Sequence, residues 1–191
     1  ICTPDFLGID QSKDTIVLTH GLQPAGCTHE ELWTGFKDNP AQAGYLLNKK
    51  YNGDVNVLQF FWEGACHEHG WFKEHNNVPT RSAYEKGRKN VYYAGEQLAY
   101  LLLQNLSTMY SKKIHFIGHS LGTAVTAYAS NIFLRQTPYI TYAQVTIIDY
   151  PSTERVYKIL GMDKDDGKEF GFDRNFFAST LPTDIDRQGI S

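Results

Sequence analysis

The run Ile114-His115-Phe116-Ile117 is short and apolar with strand character, and Thr123-Ala124-Val125-Thr126-Ala127-Tyr128-Ala129 is small and apolar at helical spacing. Only Gly118-His119-Ser120-Leu121-Gly122 separates them, so five residues must turn a buried strand directly into a helix. A turn that tight needs glycine on both sides of the serine, because strand and helix pack closely there and a Cβ at either flank collides. It also holds the serine in a strained backbone conformation at a helix N-terminus, where the dipole and free N–H groups favour negative charge. The competing reading is a serine in an ordinary helix cap, which requires neither glycine.

The rest of the chain supplies a setting for such a turn. Thr15-Ile16-Val17-Leu18-Thr19 is β-branched and apolar and stops at His20-Gly21, which predicts a buried strand. Ala43, Leu46 and Leu47 mark a helix over 41–51, broken by Asn52-Gly53-Asp54 before a second strand over 55–62. From Thr80 to Tyr110, Tyr84, Val91, Ala94, Leu98, Leu101 and Leu102 share one face, opposite Glu85, Lys86, Arg88 and Lys89, which predicts a long amphipathic helix. Val145-Thr146-Ile147-Ile148 closes the series as a fourth strand. The alternation predicts an α/β fold, a mostly parallel sheet with right-handed crossovers and helices on both faces. No repeat, low-complexity tract or linker divides the 191 residues, so they read as a single domain.

Charge narrows the function. Eighteen Lys and Arg stand against 21 Asp and Glu, a net −3, which leaves no basic face for nucleic acid. The most apolar stretch, Leu98 to Leu106, is interrupted by Tyr100, Gln104 and Asn105, so no transmembrane segment is expected. The chain opens on Ile1 rather than Met, which fits removal of a signal peptide. The sequon Asn105-Leu106-Ser107 also favours the secretory route. Of the three cysteines, Cys27 and Cys66 each fall shortly after a strand-like run at one edge of the sheet. Two readings stay open: a Cys27–Cys66 disulfide with Cys2 left over, or three buried thiols.

If Ser120 is a nucleophile, the oxyanion it generates needs donors. The backbone N–H groups of Leu121, just after the serine, and of Leu22, just after His20-Gly21, are the candidates. Asp149 ends the fourth strand ahead of Tyr150-Pro151 and is the candidate acid, with Asp173, Asp184 and Asp186 in reserve and a plain turn cap as the bland alternative. His20 reads as a turn-stabilising residue rather than a base, His119 as packing beside the turn, and His115 as a core histidine.

These pieces resemble the α/β-hydrolases, and among them the secreted lipases related to pancreatic lipase. The likeness is carried by Thr19-His20-Gly21-Leu22, Phe60-Phe61-Trp62-Glu63-Gly64, Gly95-Glu96-Gln97-Leu98-Ala99, the run from Ile114 to Gly122, and Ile148-Asp149-Tyr150-Pro151, over about residues 15 to 153. It implies a secreted serine hydrolase cleaving carboxylic esters, a lipase or esterase acting on acyl lipids and touching a lipid surface, with no cofactor. In that group the acid follows the strand after the nucleophile's helix, which supports Asp149, although Tyr150 replaces the usual proline.

The departure is the base. In this fold nucleophile, acid and histidine follow one another along the chain, yet all seven histidines, at 20, 29, 67, 69, 75, 115 and 119, precede Ser120. Three explanations compete. The sequence stops before the last strand and helix and the histidine loop; a histidine among His67, His69 and His75 substitutes; or the scaffold is catalytically silent and binds an apolar ligand. The loop over 63–79 reads as a solvated segment or part of a lid, with Trp62, Trp71 and Phe72 lining an acyl pocket. His67-Glu68-His69 lacks a firm third ligand, so no metal is expected.

Overall fold

The computed structural model describes residues 9–22, 34–35, 42–62 and 81–148, the side chains of 81–86 excepted. Thr15, Ile16 and Val17 are branched at Cβ and stiff at χ1, which suits an extended chain packed on both faces. They lie in β1 (Asp14–Thr19), buried along nearly its whole length. Helix α1 (Ala43–Tyr51) stops where Asn52 takes φ 46° and donates its N–H to Asn48 O, a left-handed cap that Gly53 continues at φ 82°. The chain then enters β2 (Val55–Phe60), crosses through α2 (Arg81–Asn105) to β3 (Ile114–His119), and passes through α3 (Leu121–Gln136) to β4 (Ala143–Ile148).

All seven elements appear in the order expected from the sequence, and the sheet is parallel throughout, with strand order β2-β1-β3-β4. Several boundaries differ, and three of them have a visible cause or consequence. β2 ends at Phe60 rather than at residue 62, because Phe61 and Trp62 turn away to pack on His20. α2 ends at Asn105, short of Tyr110: the Asn105 amide folds back to Leu101 O, and Ser107 caps Met109 N–H through its hydroxyl. The sequon asparagine is thus already hydrogen-bonded to its own helix. β3 runs on through Gly118 and His119, so the strand delivers its end directly to Ser120.

One core joins α2 and α3 to a single face of the sheet. Val91, Leu98 and Leu102 of α2 and Val125, Ala129 and Phe133 of α3 meet Val17, Ile114, Phe116 and Val145. Right-handed crossovers put α1, which packs on β2, on the other face. The two long helices approach so closely that a Cβ on Gly95 would lie 2.8 Å from Tyr128 Cβ and 3.2 Å from Val125 O. None of the described helices is long and apolar enough to cross a membrane.

At the N-terminal ends of the strands, the buried Tyr110 hydroxyl meets Thr15 Oγ1 at 2.9 Å, Lys13 O at 2.8 Å and Lys113 O at 3.1 Å. The phenol has one proton to give and the carbonyls can only accept, so Thr15 donates to the phenolic oxygen while itself accepting from Asn56 Nδ2. Burial pushes the Tyr110 pKa up to about 12, with Asp14 adding to the rise and the Thr15 hydrogen bond opposing it.

Two tests follow from this packing. Gly95→Ala gains up to ~1 kcal/mol of helix propensity but forces apart a rigid helix crossing at ~1–3 kcal/mol, so urea unfolding should show net destabilisation. Because the native Tyr110 pKa lies above the ~10 of an unfolded tyrosine, its contribution to stability is complete below about pH 10. It is lost as the pH rises from there toward about 12. Urea midpoints of the parent and Tyr110→Phe, followed upward through that window, should converge.

Candidate active site

The strand order places a switch between β1 and β3: from β1 the chain leaves toward β2, then returns past β1 to β3. In open parallel sheets such a point opens a crevice at the C-terminal strand ends. Here those ends are Thr19 and Gly118, paired in register, followed by His20-Gly21 and His119-Ser120.

Ser120 sits at φ 53° and ψ −127°, a conformation costing a non-glycine residue on the order of 1–3 kcal/mol. An ordinary N-cap has extended dihedrals and a side-chain oxygen bonded to the helix, whereas Ser120 Oγ makes no capping hydrogen bond. That removes the helix-cap reading. The strain is held by surrounding bonds. Ser120 N donates to Ile148 O at 3.0 Å, and Ser120 O accepts from Thr123 N at 3.0 Å and Thr123 Oγ1 at 2.6 Å.

Glycines make the approach possible. A Cβ on Gly118 would lie 2.6 Å from Gly122 O and 2.7 Å from Thr123 Cα, and one on Gly122 would press on His20 O and stand 2.6 Å from Thr19 O. A third glycine belongs to the same cluster: a Cβ on Gly21 would lie 2.6 Å from Ser120 Cβ and 3.2 Å from its Oγ. The backbone at Gly21 therefore lies directly against the serine.

Leu121 is the first residue of α3, so its N–H has no partner within the helix, and its side chain is buried in the core. Leu22 packs its side chain against the same core. Both residues thus commit their side chains to packing. No acidic residue lies in the first turn of α3 to oppose the positive end of its dipole. The arrangement offers a half-buried serine on a strained turn at the N-terminus of α3, where the free N–H groups of the helix suit an anion.

The described histidines hold other positions. His20 is wholly buried, with Nδ1 2.8 Å from Gly21 O and Nε2 3.1 Å from Trp62 N. His115 lies toward the start of β3, roughly 13 Å of strand before the turn. Its Nε2 meets Thr146 Oγ1 at 2.8 Å, and burial lowers its pKa. His119 is the last residue of β3. Trp62, expected with Trp71 and Phe72 to line a pocket or lid, is only 4% exposed and joins the core, its indole N–H donating to His20 O at 2.7 Å. It braces the loop beside Ser120 from below.

Asp149, Trp71, Phe72, Cys27, Cys66, His29, His67, His69 and His75 lie outside the described residues. So do the reserve acids Asp173, Asp184 and Asp186. Among the described residues no group of three His, Cys, Asp or Glu side chains could hold a metal ion. Two contributors were not anticipated from the sequence. Thr123 clamps the Ser120 carbonyl, and Trp62 ties down His20; the threonine three residues past the serine was the only local sign of either.

A family model described as "Putative serine esterase (DUF676)" matches residues 10–152. Comparison with curated proteins and with solved structures yields no match.

Gly21→Ala tests the closeness of the loop to the serine. Its Cβ has nowhere to go, so the turn or the loop must shift. The expected outcome is a cooperatively folded protein, destabilised by ~1–3 kcal/mol in urea melts, whose Ser120 reacts at least tenfold more slowly with a fluorophosphonate.

Proposed function

The chain belongs to the DUF676 serine esterase family, and from that membership we propose that it hydrolyses carboxylic esters, acyl lipids foremost, with Ser120 as the nucleophile. The observation that carries the assignment to Ser120 is its backbone, strained at φ 53° and ψ −127° with Oγ left out of helix capping and set against Gly21. A protein has no structural use for that strain at a serine, and such strain concentrates at functional sites.

In the proposed reaction Ser120 Oγ attacks the ester carbonyl carbon while a histidine base takes its proton. Negative charge gathers on the former carbonyl oxygen, where the N–H groups of Leu22 and Leu121 receive it. Collapse expels the alcohol, which leaves with the proton from the histidine. Water then attacks the acyl-serine, releasing the acid and restoring Ser120. Asp149 orients that histidine. The acid's position is supported by the bond from Ser120 N to Ile148 O, because Ile148 is the residue just before Asp149. No cofactor enters these steps.

The proposal extends to a secreted protein related to the pancreatic-type lipases, with a Cys27–Cys66 disulfide. Trp71 and Phe72 would lie in a lid that meets a lipid surface. The support for these points is sequence pattern alone: the order of motifs, the sequon and the cysteine positions.

The test is intact-mass analysis of the full natural protein before and after a fluorophosphonate, alongside turnover of acyl esters. One adduct mapping to Ser120 is expected. Ser120→Ala should take no adduct and lower kcat by ~10⁴-fold or more. An intact protein that binds fatty esters without labelling or turnover would instead be the silent scaffold.

A further inference from the structure

We infer that His20 is a positioning residue for the hydrolysis proposed above: its imidazole fixes the orientation of the Gly21–Leu22 peptide, and with it the direction of the Leu22 N–H. The inference rests on that functional reading and adds to it a residue that touches neither substrate nor nucleophile.

The protonation state follows from the partners. Trp62 N is a backbone amide and can only donate, so Nε2, 3.1 Å away, accepts and carries no hydrogen. The proton is then on Nδ1, which donates to Gly21 O at 2.8 Å. His20 is thus neutral and a single tautomer, and its imidazole cannot take the serine's proton while both bonds stand.

Gly21 C=O and Leu22 N–H belong to one peptide unit. No peptide bond in the described residues is cis, so the two groups point in opposite directions from one plane. A hydrogen bond that holds the carbonyl toward the imidazole therefore holds the N–H away from it. Glycine at 21 makes this bond necessary, since its backbone turns more freely than that of any other residue. Without the bond, the plane can rotate and exchange an N–H for a carbonyl oxygen facing the site, which repels an oxyanion. The imidazole is itself immobile. It is wholly buried and packs against Phe61 and Trp62 at centroid distances of 5.3 and 5.9 Å. The Trp62 indole N–H holds His20 O at 2.7 Å, and the backbone of His20 lies against Gly122 of α3.

The experiment compares the parent with His20→Leu, which loses both bonds, and His20→Asn, whose side-chain amide reaches the Nδ1 position but not Nε2. Loss of one oxyanion donor lowers kcat by ~10²–10³-fold. That drop is expected for His20→Leu with KM within about twofold of the parent, and His20→Asn should recover at least tenfold of it. Long-range proton–nitrogen spectra of the unmodified protein read the tautomer independently of activity or of how the variants fold. An Nε2–H tautomer overturns the inference. So does a folded His20→Leu with kcat within twofold of the parent, or His20→Asn no better than His20→Leu. A parent protein that neither turns over ester nor labels at Ser120 defeats the esterase reading instead, and the tautomer result then still stands on its own.

Discussion

Backbone lies on backbone where the ends of β1, β3 and α3 meet, and that contact governs everything around it. Gly118, Gly122 and Gly21 come from two segments a hundred residues apart in the chain, and each faces main-chain or Ser120 atoms at distances that exclude a side chain. Because nothing fills the space between the segments, no side chain can relax to absorb a shift. The strain at Ser120 persists because it is over-determined, by Ile148 O on one side and Thr123 on the other. The same closeness explains the polarity of the neighbourhood. His20 and Trp62 are buried with their hydrogen-bonding groups matched to each other and to the loop, as buried polar groups must be.

Much of this was legible in the residues. The order of strands and helices followed from periodicity and from β-branched runs, and the parallel sheet from their alternation. Gly118 and Gly122 announced the turn because only glycine meets its steric demand. The placement of Gly21 beside Ser120 needed one further step, the rule that parallel sheets open at their switch point.

What was not legible depended on tertiary contact. The sequence permits Trp62 to be read as a strand residue or as a pocket wall. Only the position of His20 makes it a brace, through an indole bond spanning 42 residues. The tautomer of His20 likewise follows from the backbone donor of Trp62, 42 residues away, and leaves no trace in its own neighbours along the chain. α2 ended early because Asn105 and Ser107 satisfied the backbone locally, a competition that apolar periodicity does not register. The base was not legible for a reason of chain order: every histidine precedes Ser120, so the nucleophile–acid–histidine order singles out none of them.

The Tyr110 knot lies at the end of the sheet remote from Ser120, yet it binds the same two strands. Its hydroxyl joins Thr15 and Lys13, at the head of β1, to Lys113, just ahead of β3, while the glycine contacts join their tails. β1 and β3 are thus riveted at both ends. Parallel strands pulled lengthwise against each other load all their ladder bonds in shear at once, and here both rivets must break in the same event. Lengthwise load on this pair therefore meets resistance at both ends, and Ser120 sits at one of them.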